Sequence, residues 1–394
     1  MNVRRPLVYI ATAAVAFSAT TATMSPVAAA ERAERAGTAP PATTPYIVTL
    51  VPSNADVAAT AQVQLAEHRP GARPLRVFES AIDGYTANLT SADAAELAAE
   101  PTVAAVEPDG VVTIAGRRQY PAPWGLDRTD QRSRRLTGSY VYARTGLGVA
   151  VYVIDTGIRL SHNDFTRRGR SGYDAIDGGV ASDCNGHGTH VASTVGGATY
   201  GVAKRVTLIA VRVLGCNGSG TVSGVVAGMD WVVAHHQAGK PAVANMSLGG
   251  PPSTALDAAV ARLTADGVTV VVAAGNSSTY ASYTSPARAP SAVTVAASNR
   301  YDAFASFSNH GTAVDILAPG VSIPGAWYTS NSAKATLSGT SMASPHVAGA
   351  AAKLLQASPT AAPSTIRNLL VSTATTGRIS GARTTPNELL YSRN

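Results

Sequence analysis

The stretch Val268-Thr269-Val270-Val271-Val272-Ala273-Ala274 is almost wholly apolar and leads directly into Gly275-Asn276. A strand that is apolar at both parities is covered on both faces, as in a parallel sheet enclosed by helices. Ala150 to Ile154 is a second apolar strand and ends on Asp155-Thr156-Gly157. Leu208 to Val213 is a third, and Ala242 to Met246 ends on Ser247-Leu248-Gly249-Gly250. Between them, Val222 to Ala234 and Thr254 to Ala265 carry apolar residues at helical spacing. The alternation predicts an α/β fold, a mostly parallel sheet with helices on both faces. Ligands of such sheets bind beyond the carboxyl ends of the strands. Asp155, Ser247 and Asn276 all fall just past strand ends.

The rest of the chain sets the frame. Arg4 and Arg5, the apolar run Leu7 to Phe17 and the small residues Ala28-Ala29-Ala30 read as an export signal over 1–30. That run is short and diluted by Thr and Ser, no other run is long enough to cross a bilayer, and the expected location is outside the cell. Residues 31–45 are polar, Ala-rich and Pro-rich, and read as a disordered connector. The remainder divides into a small domain, 46–116, and a large one, 117–394. Charged residues make up only 14%, and the net charge of +7 comes from scattered arginines with no basic block. That pattern excludes a nucleic-acid-binding role. Two cysteines in an exported chain suggest one disulfide.

In the small domain, Tyr46 to Leu50 reads as a strand and Ala58 to Glu67 as a helix. Val77 to Leu89 reads as a hairpin turning at Asp83-Gly84. Ser91 to Ala99 reads as a helix capped by Ser91, and Val103 to Glu107 as a last strand. The order β-α-β-β-α-β is the split βαβ, ferredoxin-like arrangement.

Several residues bear chemistry. In Gly339-Thr340-Ser341-Met342-Ala343-Ser344-Pro345-His346, Ser341 sits where a loop meets an Ala-rich helix. Free backbone N–H groups and the helix dipole there favour negative charge. Ser341 is either a helix cap or a nucleophile, and a nucleophile needs a base. Asp155 either ends a strand in a turn with Gly157 or serves a site. His187 and His190 are spaced as a metal pair, but no Glu stands between them and no third ligand is evident. Gly146-Leu147-Gly148 precedes its strand and lacks a third glycine, which argues against a dinucleotide fingerprint.

Taken together, these motifs narrow the alternatives. Val153-Ile154-Asp155-Thr156-Gly157, Asn185-Gly186-His187-Gly188-Thr189-His190 and Gly339-Thr340-Ser341-Met342-Ala343 place Asp, His and Ser in the chain order of subtilisin. The chain resembles the subtilisin-like serine proteases, within them the proteinase K branch and its aqualysin-type members. Pro123-Trp124-Gly125-Leu126-Asp127, Asn217-Gly218-Ser219-Gly220, Asn245-Met246-Ser247-Leu248-Gly249, Ala273-Ala274-Gly275-Asn276 and Ser306-Phe307-Ser308-Asn309 match as well. The resemblance covers residues 120–394, and the segment before it resembles the family's inhibitor-type propeptide.

The resemblance implies a secreted serine endopeptidase, expected as a monomer, that acts on proteins and peptides without a catalytic cofactor. Ser341 would be the nucleophile, His187 the base and Asp155 its orienting partner, with Asn276 and the Ser341 N–H as oxyanion donors. His190 and His346 would be structural. Gly218, Ser219 and Gly220, with Ser247, Leu248 and Gly249, would flank an extended substrate. Ala273 and Gly275 would leave an open specificity pocket without a counter-charge, suited to apolar and aromatic side chains. Residues 31–116 would act as intramolecular chaperone and inhibitor and be cut off by the enzyme itself near Gly116–Arg117. Structural calcium is implied at Asp315 with the carbonyls of Pro290 and Ala292, and at Asp127, Asp130 and Gln131. Cys184 and Cys216 match a disulfide of the aqualysin type, whereas Ser282 and Ala313 stand where a second bridge would be. The alternative, a non-catalytic binding protein on the same fold, is opposed by the intact Asp155, His187, Ser341 and Asn276 set.

Overall fold

The computed structural model describes residues 41–53, 55–110 and 117–393. The export signal, most of the connector and Gly116 beside the expected processing point lie outside the described residues. The described residues form two compact units, one up to residue 110 and one from residue 117.

In the first unit, β1 (Thr44–Leu50), α1 (Val57–His68), β2 (Arg76–Phe78), β3 (Gly84–Leu89), α2 (Ser91–Ala98) and β4 (Val103–Pro108) follow the expected order. The sheet runs β2-β3-β1-β4 with every pair antiparallel. Val48, Leu65, Tyr85, Leu89 and Leu97 form its core. Three local readings shift. Thr44 and Pro45, assigned to the connector, already belong to β1. Gly84 lies in β3 rather than in the turn, because it pairs with Thr49 of β1 and Phe78 of β2; a Cβ there would stand 2.4 Å from the Val48 carbonyl oxygen, so the pairing calls for glycine. The cap of α2 is Thr90, not Ser91. Thr90 Oγ1 accepts from the Asp93 N–H at 3.1 Å and Asp93 Oδ2 accepts from the Thr90 N–H at 2.9 Å, a reciprocal capping box.

The second unit opens with β5 (Arg117–Gln119), α3 (Trp124–Thr129) and β6 (Tyr140–Tyr142), with β5 antiparallel to β6. Then follow β7 (Ala150–Asp155), β8 (Gly169–Asp174), α4 (His187–Gly196), β9 (Thr207–Arg212), α5 (Val222–His235), β10 (Ala242–Met246), α6 (Thr254–Ala265), β11 (Thr269–Ala273) and β12 (Val293–Ser298). The chain closes with β13 (Ile316–Pro319), the hairpin β14 (Ile323–Ala326) and β15 (Lys334–Leu337), α7 (Thr340–Ala357), α8 (Pro363–Ser372), β16 (Thr375–Thr376) and β17 (Glu388–Leu389). The main sheet runs β16-β17-β13-β12-β11-β10-β7-β9-β8. All its pairs are parallel except β16 with β17.

The apolar runs explain this layering. Along β7, Val151 and Val153 pack into one core with Val191 and Val195 of α4 and Val347 and Ala351 of α7. Tyr152 and Ile154 point the other way, into a core with Val225 and Met229 of α5 and Leu256 and Val260 of α6. Both sheet faces are therefore buried, and alternation of polar and apolar residues is lost. Gly146 and Gly148 adopt left-handed φ of +73° and +84°, in a turn closed by the Val149 N–H on the Gly146 carbonyl. They serve that turn and precede the strand.

Candidate active site

The carboxyl ends of β7, β10 and β11 and the amino ends of α4 and α7 deliver the chemistry-bearing residues. Asp155 is the last residue of β7 and is fully buried. His187 is the first residue of α4, behind an N-cap, Gly186, with a left-handed φ of +110°. A Cβ on Gly186 would also stand 2.5 Å from the Trp327 ring. The helix start is held by Asp183, which the sequence reading missed. Its Oδ1 accepts from the Asn185 and Gly186 N–H groups and its Oδ2 from the Thr189 N–H, at 2.8–2.9 Å. An aspartate just ahead of a helix is a capping signal and could have found it.

His187 Nδ1 and Asp155 Oδ1 lie 2.7 Å apart, and since a carboxylate can only accept, Nδ1 donates. The Thr156 N–H also donates to Oδ1, at 2.8 Å. Burial works against the imidazolium of His187, but the charge and hydrogen bond of Asp155, with the charge of Asp183, carry its pKa above the ordinary value. His190, one turn on, is buried with Nε2 on the Ile323 carbonyl at 3.0 Å, and burial pushes its pKa down to about 4. It is not part of a metal pair. His346 is likewise buried, with Nδ1 on the Met342 carbonyl at 2.8 Å, its pKa pushed by burial to about 4.

Ser341 is the second residue of α7. Pro345 lies four residues on and has no N–H, so the Ser341 carbonyl loses its helical donor. Ser247 Oγ fills that place, donating to the Ser341 carbonyl at 2.9 Å. Ser341 Oγ in turn donates to the Ser247 carbonyl at 3.1 Å. Its hydrogen bond therefore goes to Ser247 and not to His187, and catalytic hydrogen bonds commonly align only in the complex with substrate. Asn276 Oδ1 accepts from the Thr340 N–H at 2.8 Å and from Thr340 Oγ1 at 2.9 Å. With its oxygen held there, its Nδ2 is left to donate elsewhere. Thr340 Oγ1 also accepts from the Gly275 N–H at 3.1 Å. Thr340 thus orients the amide, a role its neighbour Ser341 concealed in the sequence.

A cleft of about 730 Å³ joins these groups. His187, Asn276 and Ser341 line it, and so do Gly218, Ser219, Gly220, Ser247, Leu248, Gly249, Ala273 and Gly275. Asp155 lies behind His187, away from the lining. No Asp, Glu, Lys or Arg lines the cleft among the described residues. Gly275 has φ +104°, and a Cβ on it would stand 2.3 Å from Asn309 Nδ2. Cys184 and Cys216 form a disulfide with Cα atoms 4.9 Å apart. Beside it, Asn185 Nδ2 donates to the Cys216 carbonyl at 2.9 Å and so links the loop of His187 to the Gly218–Gly220 wall.

The two oxygen sets expected to hold calcium differ in fit. Asp127 and Asp130 are buried; Asp127 accepts from the Thr137 and Gly138 N–H groups, and Asp130 Oδ2 from the Val141 N–H. Asp130 Oδ1 is buried with no hydrogen-bond partner, and burial pushes the carboxyl pKa up to about 6. A carboxylate oxygen desolvated without a donor suits a cation. Asp315 is the opposite case. Its Oδ2 accepts from the Thr294 N–H at 2.8 Å, and its Oδ1 accepts from Arg367 Nε at 3.0 Å and from a second Arg367 nitrogen. Arg367 also donates to the Pro290 carbonyl at 3.1 Å. The guanidinium holds two of the expected ligands, so the calcium expectation at Asp315, Pro290 and Ala292 does not fit this structure.

Comparison with known proteins agrees with this arrangement. Residues 146–389 match the model of the subtilase family, and residues 45–115 that of the peptidase inhibitor I9 family. An extracellular serine proteinase of Thermus sp. (strain Rt41A) is 55% identical over 323 residues, 82% of this chain and 78% of that protein. The alkaline serine exoprotease A of Vibrio alginolyticus is 49% identical over 80% of this chain and 60% of its own length. A crystal structure of a cold-adapted subtilisin-like serine proteinase superposes with a TM-score of 0.68 at 52% identity, covering 69% of this chain and 98% of that one. With an inhibitor domain ahead of a parallel-sheet domain that brings Asp155, His187 and Ser341 to one end of its strands, the chain belongs to the subtilase family of serine proteases.

Proposed function

We propose that the chain is a secreted, broad-specificity serine endopeptidase made as a self-processing zymogen. The observation that carries this reading is the buried Asp155 bonded to His187 at 2.7 Å, with His187 and Ser341 lining one uncharged cleft. In the proposed mechanism Ser341 Oγ attacks the scissile carbonyl and His187 Nε2 takes its proton, then passes it to the leaving amine. Asp155 fixes the tautomer and stabilises the imidazolium. Asn276 Nδ2 and the Ser341 N–H receive the oxyanion, with Thr340 keeping the Asn276 oxygen turned away. A substrate strand lies between Gly218–Gly220 and Ser247–Gly249. Past it, a side chain enters a pocket beside Ala273 and Gly275, where the lack of charge favours apolar and aromatic groups. Location outside the cell is supported by the secretion-type amino terminus and by the name of the Thermus relative.

The inhibitor-type domain, in this reading, assists folding, blocks the cleft until processing and is removed near Gly116–Arg117. Calcium, when bound, is held by Asp127, Asp130 and Gln131 and supplies structural charge compensation only. Two measurements test the function. A serine-directed irreversible inhibitor should label Ser341 alone, and Ser341→Ala should abolish peptide hydrolysis in a folded protein; near-parental turnover would overturn the assignment. Mass spectrometry of secreted Ser341→Ala should find the propeptide still attached. Clean removal with no other protease present would refute self-processing.

A further inference from the structure

We infer that Arg367 serves as a built-in cation at the Asp315 site, so that this corner of the fold is held without calcium. Arg367 lies in α8, next to Ile366 and three residues before Leu370, both buried, which anchor the helix. Its side chain reaches the amino ends of β12 and β13. There it donates to Asp315 Oδ1 through two nitrogens and to the Pro290 carbonyl. The other carboxylate oxygen is taken by the Thr294 N–H, and Thr294 Oγ1 donates to the Ala287 carbonyl at 2.7 Å. One guanidinium thereby joins three segments: α8, the loop carrying Pro290 and the start of β13.

The chemistry of the exchange is simple. A metal ion at this place would gather the Asp315 carboxylate and a main-chain carbonyl around one positive charge. A planar guanidinium with five N–H donors can do both from one side chain. It carries one charge where calcium carries two, but it cannot dissociate. A dication on the same oxygens would meet Arg367 at contact distance, a like-charge pair beside a mostly buried carboxylate whose arginine partner is half-exposed. Burial pushes the Asp315 carboxyl up, while the Thr294 N–H and Arg367 pull it back. The site sits at the amino ends of the strands, opposite the catalytic cleft at their carboxyl ends, so it can be altered without touching the catalytic groups.

The test uses the full chain carrying Ser341→Ala, which in the proposed mechanism removes self-digestion; its readouts, calcium binding and unfolding, do not measure activity and so are distinguishable from a failure of the catalytic assignment. Calcium stoichiometry is read by titration calorimetry and the unfolding temperature is followed against calcium concentration. In this parent, Asp315→Asn should leave the calcium stoichiometry unchanged. Arg367→Ala should gain one calcium ion per chain, and its unfolding temperature should rise with calcium more steeply than the parent's. Adding Asp315→Asn to Arg367→Ala should remove the gained ion. Asp130→Asn separates any ion bound at the other oxygen set. The inference is overturned if Asp315→Asn in the Arg367-containing parent lowers the stoichiometry by one, because calcium then displaces the arginine. It is also overturned if Arg367→Ala gains no ion. Should Arg367→Ala fold poorly, Arg367→Met keeps the aliphatic stem and serves the same comparison, and the Asp315→Asn result decides on its own.

Discussion

Ser247 and Ser341 hold each other twice: the Ser247 hydroxyl donates to the Ser341 carbonyl at 2.9 Å, and the Ser341 hydroxyl donates to the Ser247 carbonyl at 3.1 Å. The first bond exists because Pro345 withholds the N–H that would otherwise cap the Ser341 carbonyl. Asn245 Nδ2 donates to Ser247 Oγ at 3.0 Å, and Ser344 Oγ donates to Asn245 Oδ1 at 2.8 Å. The end of β10 and the first turn of α7 are thus one hydrogen-bonded unit. Ser247→Ala should strand the Ser341 carbonyl and cost about 1–3 kcal/mol, read by chemical denaturation, with a fall in kcat. Pro345→Ala returns an N–H to that carbonyl, so the double variant should recover part of the loss. Additive losses would break the link between the proline and the serine.

Asn276→Ala should lower kcat by roughly 10²–10³ with little change in KM, because the donor acts on charge that develops in the transition state. Thr340→Val frees the Asn276 oxygen from its hydroxyl bond and should give a smaller loss of the same kind. A rise in KM alone in either variant would contradict the oxyanion role. Steady-state kinetics on a short peptide substrate separate the two.

The pH dependence follows from His187. Its pKa is raised in the folded protein, and catalysis needs the neutral ring, so kcat/KM should fall as pH drops through a value above the ordinary imidazole range. Burial alone would lower that pKa; the Asp155 charge raises it. Asp155→Asn should therefore move the acid limb to lower pH and reduce kcat by about 10⁴. A pH–rate profile of both proteins reads the direction. An acid limb unmoved by Asp155→Asn would assign it to another group.

Reduction of the Cys184–Cys216 bond, which spans 32 residues, should destabilise the protein by roughly 3–4 kcal/mol through restored freedom of the unfolded chain. Because Asn185 bridges the same two segments, KM should rise before kcat falls. Thermal unfolding and kinetics of a Cys184→Ser, Cys216→Ser variant measure both. No thiol should titrate in the denatured, unreduced parent.

What the amino-acid sequence determined by itself was whatever depends on neighbours along the chain. The all-apolar run before Asn276 specified a strand buried on both faces, and the motifs around Asp155, His187 and Ser341 identified the family. The split βαβ order of the small domain was equally legible from short-range periodicity. Its edges were not: Thr90 rather than Ser91 caps α2, because Thr90 and Asp93 bond each other reciprocally. Tertiary structure decided what depends on residues far apart in the chain. His190 is committed to the Ile323 carbonyl, Thr340 to the Asn276 amide, and Arg367 to an aspartate 52 residues earlier. A carboxylate looks the same in sequence whether its partner is a metal ion or a guanidinium. Only the packing of α8 against the strands brings Arg367 to Asp315, and the cation that fills a site is set by which charge arrives there when the chain folds.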